Sequence, residues 1–245
     1  MAVRRYGPCG MADPARQIDS IDLGFTEADA ARLNERYAGV PAPELLARLL
    51  RDEMPGKISA VSSFGTESAV LLDMIARADP ATPVLFVDTL KMFPETLAYR
   101  DTLIERLGLT NVKSIQPDPA LVAARDETGL RWSYDPDGCC DIRKVQPLAR
   151  ALTGVTAWIS GRKGFQASTR AKLPTFEIED GRLKINPLAG WTKTDLDQWF
   201  ADNDLPRHPL EAKGYLSIGC APCTSVVKPG EDPRAMEARR AGHSD

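Results

Sequence analysis

The stretch ISAVSSFGTESAVLLDMIARADPATPVLFVDT (residues 58–89) decides the fold, because it contains two apolar strand patterns with one helix pattern between them. Residues 58–64 and 83–87 are short apolar runs typical of buried strands, and residues 67–78 carry apolar side chains at helical spacing. Strand, helix and strand in this order form a βαβ unit, whose two strands lie parallel. The stretch therefore predicts a parallel sheet with helices packed on it.

The same alternation continues on both sides of this stretch. Thr26, with Asp29 three residues later, suits the start of a helix in an otherwise polar N-terminal segment. The further predicted elements are helices at 43–53, 94–107 and from Thr192 to about 201, strands at 111–116 and 156–160, and a hairpin at 176–185 that turns at Asp180-Gly181. Together they predict one α/β domain with a doubly wound, mostly parallel sheet and helices on both faces. We divide the chain into an extension at 1–40, this domain at 41–228 and a tail at 229–245.

Composition excludes several classes of protein. The 245 residues include 31 basic and 34 acidic side chains, and this balance is not that of a general nucleic-acid binder. No apolar run is long enough to cross a membrane, and the first residues lack the apolar stretch of a secretory signal. We therefore expect a cytoplasmic protein with no membrane and no nucleic-acid partner, whose five cysteines lie in a reducing compartment.

The turn between the first strand and its helix predicts an anion site. It consists of Ser62, Ser63, Phe64, Gly65, Thr66, Glu67 and Ser68. Small residues let backbone N–H groups converge on a phosphate, and the helix that follows adds partial positive charge. The spacing is not that of a Walker A loop, and a turn that only caps its helix remains an alternative. Asp88 and Thr89 end the next strand, where open α/β sheets bind ligands.

Four cysteines occur as two close pairs, Cys139-Cys140 and Cys220-Ala-Pro-Cys223. Four thiolates can hold a [4Fe-4S] cluster or a tetrahedral zinc ion. Scattered inert cysteines and a redox-active CxxC are weaker alternatives, because neither explains the adjacent pair.

Basic residues suggest further contacts to an anion. Arg162 and Lys163 follow the strand at 156–160, although they can also be solvated loop charges. Lys144 lies four residues after Cys140, so on a helix its ammonium group would share a face with that thiol. Of the two histidines, His208 is more consistent with a structural role than with a catalytic base, and His243 lies in the tail.

Several segments resemble the adenylyl-sulfate reductases of the adenylyl-sulfate and phosphoadenylyl-sulfate reductase family, which is adenine-nucleotide alpha-hydrolase-like. They are SSFGTES (62–68), VDTLKMFPETLAYRD (87–101), GCCDIRKVQPL (138–148), GYLSIGCAPCT (214–224) and PGEDPR (229–234), and the resemblance covers roughly residues 25–234. It implies that residues 62–68, Asp88, Thr89, Arg162 and Lys163 bind the nucleotide and that Arg234 binds sulfate. It also implies that the four paired cysteines hold a [4Fe-4S] cluster, which Lys144 links electrostatically to the substrate.

The resemblance also implies an activity. Members of this group reduce adenylyl sulfate to sulfite and AMP in sulfate assimilation, with electrons from thioredoxin or a glutaredoxin-like dithiol donor. The paired cysteines favour adenylyl sulfate over its 3′-phosphorylated form, since phosphoadenylyl-sulfate reductases usually lack them. Self-association into a homo-oligomer is left open.

The C-terminal residues depart from the family pattern. The resemblance implies a terminal Glu-Cys-Gly-(Leu or Ile)-His whose cysteine attacks the substrate sulfur, yet no cysteine follows Cys223, and Glu237 stands where a second sulfate-binding arginine is expected. Three interpretations remain: a working reductase with a truncated or divergent tail, a nucleotide- and cluster-binding protein without its own nucleophile, or an attack by Cys9. A transferase of the ATP pyrophosphatase type is a weaker alternative, because its SGGxDS loop is absent.

Overall fold

Six strands form one sheet at the centre of the molecule, in a computed structural model that describes residues 24–164 and 173–226. The strand order is β3-β2-β1-β4-β6-β5, and every neighbouring pair is parallel except β5 and β6. The strands are β1 (Ile58–Ser62), β2 (Val84–Val87), β3 (Val112–Ile115), β4 (Ala157–Ile159), β5 (Phe176–Glu179) and β6 (Arg182–Ile185). The predicted class, an α/β domain with a mostly parallel sheet, is confirmed.

Eight α-helices connect or flank these strands in the described part of the chain. They are α1 (Glu27–Arg36), α2 (Ala42–Ala47), α3 (Ser68–Ala78), α4 (Pro94–Leu107), α5 (Pro119–Arg125), α6 (Pro136–Cys140), α7 (Gln146–Ala151) and α8 (Lys193–Asp202). A π-helical segment (Arg48–Glu53) continues α2, and another (Asp141–Val145) joins α6 to α7; short 3-10 turns occupy Arg131–Ser133, Glu211–Lys213 and Ala221–Cys223.

The apolar core lies between the sheet and the helices that follow its strands. In α3, Val70, Leu72, Met74 and Ile75 are at most 1% exposed, because this helix packs against α2, α4 and α8 while it covers the sheet. Helix α7 packs instead against β2 and β3. Burial of this many apolar side chains is the main source of stability for the sheet edge on which the site is built.

Local signals in the sequence placed several elements correctly. Thr26 and Thr192 each form a capping box with the aspartate three residues later, as the sequence predicts. The hairpin turns at Asp180 and Gly181, whose φ angles of 51° and 73° belong to the left-handed region that such tight turns require.

Other elements differ from the sequence-based expectation. The strands β1 to β4 are each shorter than predicted, and α5 and the helices on either side of Asp141–Val145 were not predicted, because each is too short to show a clear apolar period. Helix α1 packs on β5 through Asn34, whose side chain hydrogen bonds to both the N–H and the carbonyl of Phe176, at 3.0 and 2.7 Å. Part of the segment 1–40 therefore contacts the same core as the rest of the domain.

No helix among residues 24–164 and 173–226 combines the length and the apolar character that a bilayer crossing requires.

Candidate active site

A cavity of about 420 Å³ opens where β1 and β4 end. Its lining comes from the phosphate loop, which we define as residues 62–68, from the loop after β4, and from the segment 211–218. The lining residues are Val61, Ser62, Ser63, Gly65, Thr66, Glu67, Ser68, Leu71, Gly161, Arg162, Lys163, Leu188, Lys193, Glu211, Leu216, Ser217 and Ile218. The carboxyl ends of parallel strands are where α/β sheets bind ligands, so the predicted loops meet at the expected edge.

The phosphate loop is anchored to the core by its one aromatic residue. Phe64 is fully buried, and its ring meets that of Phe86 edge to face with the centroids 5.4 Å apart. Its φ of 50° lies in the left-handed region, and its N–H donates to Ser62 Oγ at 3.1 Å. Phe64 therefore does not line the cavity, unlike the other six predicted residues of the loop; it fixes the shape of the loop from below.

The segment 211–218 closes the cavity on the other side. Thr66 Oγ1 donates to the carbonyl oxygen of Leu216 at 3.2 Å. A Cβ atom placed on Gly65 would lie 3.4 Å from the carbonyl oxygen of Ile218, so the phosphate loop and this segment are in van der Waals contact. This segment was not predicted to line the cavity, although it directly precedes Cys220.

The basic side chains at the cavity lie near carboxylates, which balance their charge. Lys163 is only 5% exposed, and its Nζ lies 2.8 Å from Glu67 Oε2. Lys193 Nζ lies 3.9 Å from the other oxygen of Glu67. Arg162 is more accessible, with its guanidinium nitrogens 3.8 and 3.7 Å from carboxylates of Glu177 and Glu179. Because a buried ammonium group is costly without a partner, Glu67 stabilises the cation that a nucleotide phosphate would meet.

Asp88 and Thr89 do not line the cavity. Asp88 accepts hydrogen bonds from the Leu90 N–H and from Gln116 Nε2, both at 3.0 Å, and so holds the turn after β2. Thr89 Oγ1 lies 3.1 Å from Cys220 Sγ. The turn after β2 thus connects the sheet edge to the cysteines rather than to the cavity.

The cysteines lie in a second region beside the cavity, the cysteine region, which consists of residues 126–145 and 220–223. Cys139 and Cys140 belong to α6, and Cys220 and Cys223 bound a single 3-10 turn. That turn is held against the residues after β2 by a bridge between Met92 and Cys220 and by a hydrogen bond of 2.7 Å from the Ala221 N–H to the Lys91 carbonyl.

Electrostatic interactions show that the two cysteine pairs are neighbours. Burial raises the pKa of Cys139 to about 11, although nearby Arg143 acts to lower it. Cys140 and Cys220 also act on the pKa of Cys139, so a cysteine from each pair lies close to it.

Arg143 also belongs to this region, although no role was predicted for it. It is 5% exposed; its Nε lies 2.9 Å from Asp126 Oδ2, and its Nη1 donates to the Thr89 carbonyl at 3.0 Å. Burial alone would raise the pKa of Asp126, but hydrogen bonds from the Arg131 N–H and from Arg143 outweigh it and lower that pKa. In the sequence Arg143 and Lys144 are adjacent basic residues, and the pattern does not show which of them is buried. The structure shows that Arg143 is buried, whereas Lys144 is exposed.

Two predicted positions remain apart or undescribed. Lys144 and Cys140 are both exposed, and Lys144 does not line the cavity. Arg234, Cys9 and His243 lie outside the described residues.

The thiols match the chemistry of an iron–sulfur cluster, whose usual ligands are four cysteine thiolates. Among the described residues, no group of three or more His, Cys, Asp or Glu side chains is arranged to hold a single metal ion. The donor type and the neighbouring pairs therefore fit a cluster, whereas a compact one-ion site is not formed.

The sheet order and the cavity at its carboxyl edge define an α/β protein of the adenine-nucleotide alpha-hydrolase-like class. The crystal structure of yeast FAD synthetase in complex with FAD shares this fold, with a TM-score of 0.52 and 15% identity over 89% of this chain and 81% of that one. The sequence profile of the phosphoadenosine phosphosulfate reductase domain matches residues 57–226, and the chain belongs to that family.

Individual relatives agree with this family. A protein of Mesorhizobium japonicum named adenosine 5′-phosphosulfate reductase is 49% identical over 231 residues, which cover 94% of this chain and 90% of that protein. The crystal structure of phosphoadenylyl-sulfate reductase from Candida auris, a phosphate complex, has a TM-score of 0.69 and 27% identity; the match covers 83% of this chain and 98% of that chain.

Proposed function

We propose that this chain reduces adenylyl sulfate to sulfite and AMP, with electrons from thioredoxin or a glutaredoxin-like dithiol donor. The 49% identical relative from Mesorhizobium japonicum carries the name of this activity. In the reaction a thiolate attacks the sulfur of adenylyl sulfate, a sulfur–sulfur bond forms, and the bond from sulfur to the phosphate oxygen breaks to release AMP. One thiol of the donor then displaces sulfite and forms a mixed disulfide, and its second thiol resolves that disulfide and restores the attacking thiol, so the dithiol supplies both electrons.

One observation carries this proposal: a single segment connects the cavity to the cysteines. Leu216, Ser217 and Ile218 line the cavity, and Cys220 follows two residues later. A nucleotide whose phosphate lies on the phosphate loop would therefore be held beside a group of thiols. Plain nucleotide binding does not require this arrangement, whereas a cluster that acts on the bound nucleotide does.

We assign Cys139, Cys140, Cys220 and Cys223 as ligands of a [4Fe-4S] cluster. A tetrahedral zinc ion would draw four sulfurs to about 2.3 Å from one centre. Four cysteine thiolates are the usual ligands of a [4Fe-4S] cluster, and both cysteine pairs lie in the cysteine region. When bound, the cluster would supply a charged, polarisable group near the substrate, and we assign Lys144 to link the two electrostatically.

The remaining residues bind and orient the substrate. The phosphate loop would donate N–H groups and hydroxyls to the phosphate, and Arg162 and Lys163 would compensate its charge. Arg234 would meet the sulfate, while Asp88 and Thr89 would act indirectly through the turn that holds Cys220. None of the four paired cysteines is assigned as the attacking thiolate, because each is a proposed ligand.

The test is an anaerobic assay of the full chain, reconstituted with iron and sulfide. Adenylyl sulfate with thioredoxin as donor should give equal amounts of sulfite and AMP, and phosphoadenylyl sulfate should react more slowly. Serine in place of Cys9 should leave turnover unchanged if that thiol has no part in the attack. AMP binding without any sulfite would contradict the proposed reduction.

A non-catalytic protein that binds nucleotide and cluster is the second candidate, since no attacking thiolate is assigned among the described cysteines. The same assay separates the two, because only the reductase consumes adenylyl sulfate. Iron and sulfide in equal amounts, with no zinc, are expected for both candidates; a purely zinc-containing protein would contradict both.

A further inference from the structure

Lys184 is a buried cation that the proposed mechanism does not use. It belongs to β6 and is fully buried. Its Nζ lies 3.5 Å from Glu177 Oε1 and is hydrogen bonded to Glu179 Oε2. The same Nζ lies 4.8 Å from the centre of the Trp158 ring on the neighbouring strand. Because a buried ammonium group is costly without counter-charges, the two carboxylates of β5 stabilise it.

The same carboxylate pair, Glu177 and Glu179, faces Arg162, which lines the cavity. The Arg162 nitrogens Nη1 and Nη2 lie 3.8 and 3.7 Å from oxygens of Glu177 and Glu179. These distances are longer than hydrogen bonds, and the Arg162 side chain is 40% exposed. Arg162 can therefore turn towards an anion in the cavity without first breaking a hydrogen bond to either carboxylate.

Glu177 is fixed in place by buried polar neighbours. Asn186 Nδ2 donates to Glu177 Oε1 at 3.0 Å, and Asn186 Oδ1 accepts from Ser160 Oγ. The Ser160 hydroxyl oxygen in turn accepts from the Arg162 N–H at 3.4 Å. Asn186 is fully buried, and Ser160 is nearly so. A chain of hydrogen bonds thus joins the Glu177 carboxylate to the backbone of Arg162, so the carboxylate stays in place when the guanidinium turns.

The charges of this group balance one another, because two cations, Arg162 and Lys184, face the two carboxylates of the pair. Without Lys184, both carboxylates would act on Arg162 alone. They would hold its guanidinium more strongly and leave one uncompensated negative charge next to a residue that lines the cavity. Both effects oppose an anionic ligand. The buried lysine therefore limits how strongly the carboxylate pair competes with a phosphate for Arg162.

We propose that Lys184 is a positioning residue: by neutralising the carboxylate pair it leaves Arg162 available to the nucleotide phosphate, and so sets the affinity of the cavity for anions. The inference rests on the proposed function and adds a residue that controls substrate affinity without contact to the substrate. Lys184 is not among the residues that line the cavity. Its effect is confined to the charged part of the ligand, because the neutral part gains nothing from Arg162.

The experiment measures the Kd of AMP and of adenosine by calorimetry on the full chain, because adenosine lacks the phosphate. In Lys184→Met, one uncompensated charge should weaken AMP binding roughly 3- to 10-fold and change adenosine binding less than about twofold. In Glu179→Gln, the loss of a competing carboxylate should tighten AMP binding about 2- to 5-fold and leave adenosine binding unchanged.

The double variant Lys184→Met with Glu179→Gln separates charge from packing. It again has one cation, Arg162, facing one carboxylate, Glu177, so AMP binding should return to within about twofold of that of the unchanged protein. Packing lost with the lysine would not be restored by the second substitution. Glu179→Gln keeps the lysine, so it tests the balance of charge even if Lys184→Met does not fold.

Arg182→Met is the matched control. Arg182 also belongs to β6, but its guanidinium donates to the carbonyl oxygens of Leu152 and Asp180, at 3.2 and 3.3 Å. This variant removes the same charge from the same strand. It should change the ratio of the Kd values of AMP and adenosine by less than about twofold.

Other outcomes would overturn the inference. If Glu179→Gln weakens AMP binding, the carboxylate pair does not compete for Arg162. If AMP and adenosine weaken equally in Lys184→Met and the double variant recovers neither, Lys184 supports only the structure. If the effect of Glu179→Gln persists in full after Arg162→Met, it does not act through Arg162. Failure of the unchanged protein to bind AMP would instead contradict the proposed function itself.

Discussion

The cavity and the cysteine region lie side by side but are built in different ways. The cavity follows from the sheet: its loops leave β1 and β4, and Phe64 ties the phosphate loop to the apolar core. The cysteine region consists of short helical segments, and Leu90, Leu130, Tyr134 and Val145 in or beside it are each more than half exposed. A buried ion pair between Arg143 and Asp126 lies within it.

The two regions therefore differ in the source of their stability. The core stabilises the cavity whether or not a nucleotide is bound. Short helices without an apolar face depend on buried polar pairs and on whatever the thiols bind. We therefore expect damage to the cysteine region to leave nucleotide binding intact, and four experiments test this expectation.

The largest effect is expected from Cys220→Ser. Loss of one of four thiolates should reduce bound iron and sulfide to below about a tenth of the normal content, because clusters of this type require thiolate ligands. The Kd for AMP should change by less than about twofold, since the cavity is built by other elements. Iron analysis and calorimetry on the same sample provide both numbers. Full iron content in this variant would remove Cys220 from the ligand set.

Asp126→Asn should destabilise the cysteine region by about 3–5 kcal/mol, because it leaves the Arg143 guanidinium buried without its counter-charge. Hydrogen exchange should show loss of protection in residues 126–145 and little change in β1 and α3. The double variant Asp126→Asn with Arg143→Met is the control: removal of both charges should restore part of the protection. Equal loss of protection in β1 would mean that the two regions unfold together.

Acid should weaken the segment that joins the two regions. His208 is 1% exposed; its Nδ1 accepts from the Leu210 N–H at 3.2 Å, and its Nε2 lies 3.1 Å from Thr96 Oγ1. Burial lowers the pKa of His208 from 6.5 to about 4, despite nearby Glu95, which acts to raise it.

Because the unfolded chain binds this proton more tightly, the contribution of His208 to stability is complete above pH 6.5 and is lost as the pH falls towards 4. The loss should reach roughly 3 kcal/mol. The free energy of unfolding, measured by denaturant between these pH values, should fall less steeply in His208→Gln, in which the other titrating groups are unchanged. Parallel curves for the two proteins would show that the folded protein binds this proton as tightly as the unfolded chain does.

The smallest effect is expected from Lys163→Met. Loss of the buried cation should weaken AMP binding about 10-fold, since one charged hydrogen bond is removed. Iron content should not change. Glu67→Gln is the matched variant, because it leaves Lys163 in place without its partner at 2.8 Å and should destabilise the protein more than it weakens binding. A fall in bound iron in Lys163→Met would show that the two regions are coupled.

The sequence predicted the cavity better than its surroundings. The βαβ stretch at residues 58–89 carries strong apolar periods, and the position of a loop at the carboxyl end of a parallel strand follows from that pattern alone. The pairing of Arg143 with Asp126 joins residues 17 positions apart through a helix too short to predict. The position of Glu211 at the cavity could not be predicted either, because nothing in its local sequence distinguishes a cavity carboxylate from an exposed one. Side-chain partners across the fold are set by tertiary packing, which a local pattern does not contain.

Phe64 connects the apolar interior of the protein to the loop that lines the cavity. A non-glycine residue at positive φ is held there only by its surroundings, and here the surroundings are the ring of Phe86 on the neighbouring strand. Substitutions at position 86, which does not line the cavity, would thus alter the curvature of the loop at residues 62–68. Efforts to raise thermal stability by repacking this part of the core would change substrate affinity at the same time, so the two properties cannot be tuned independently at these positions.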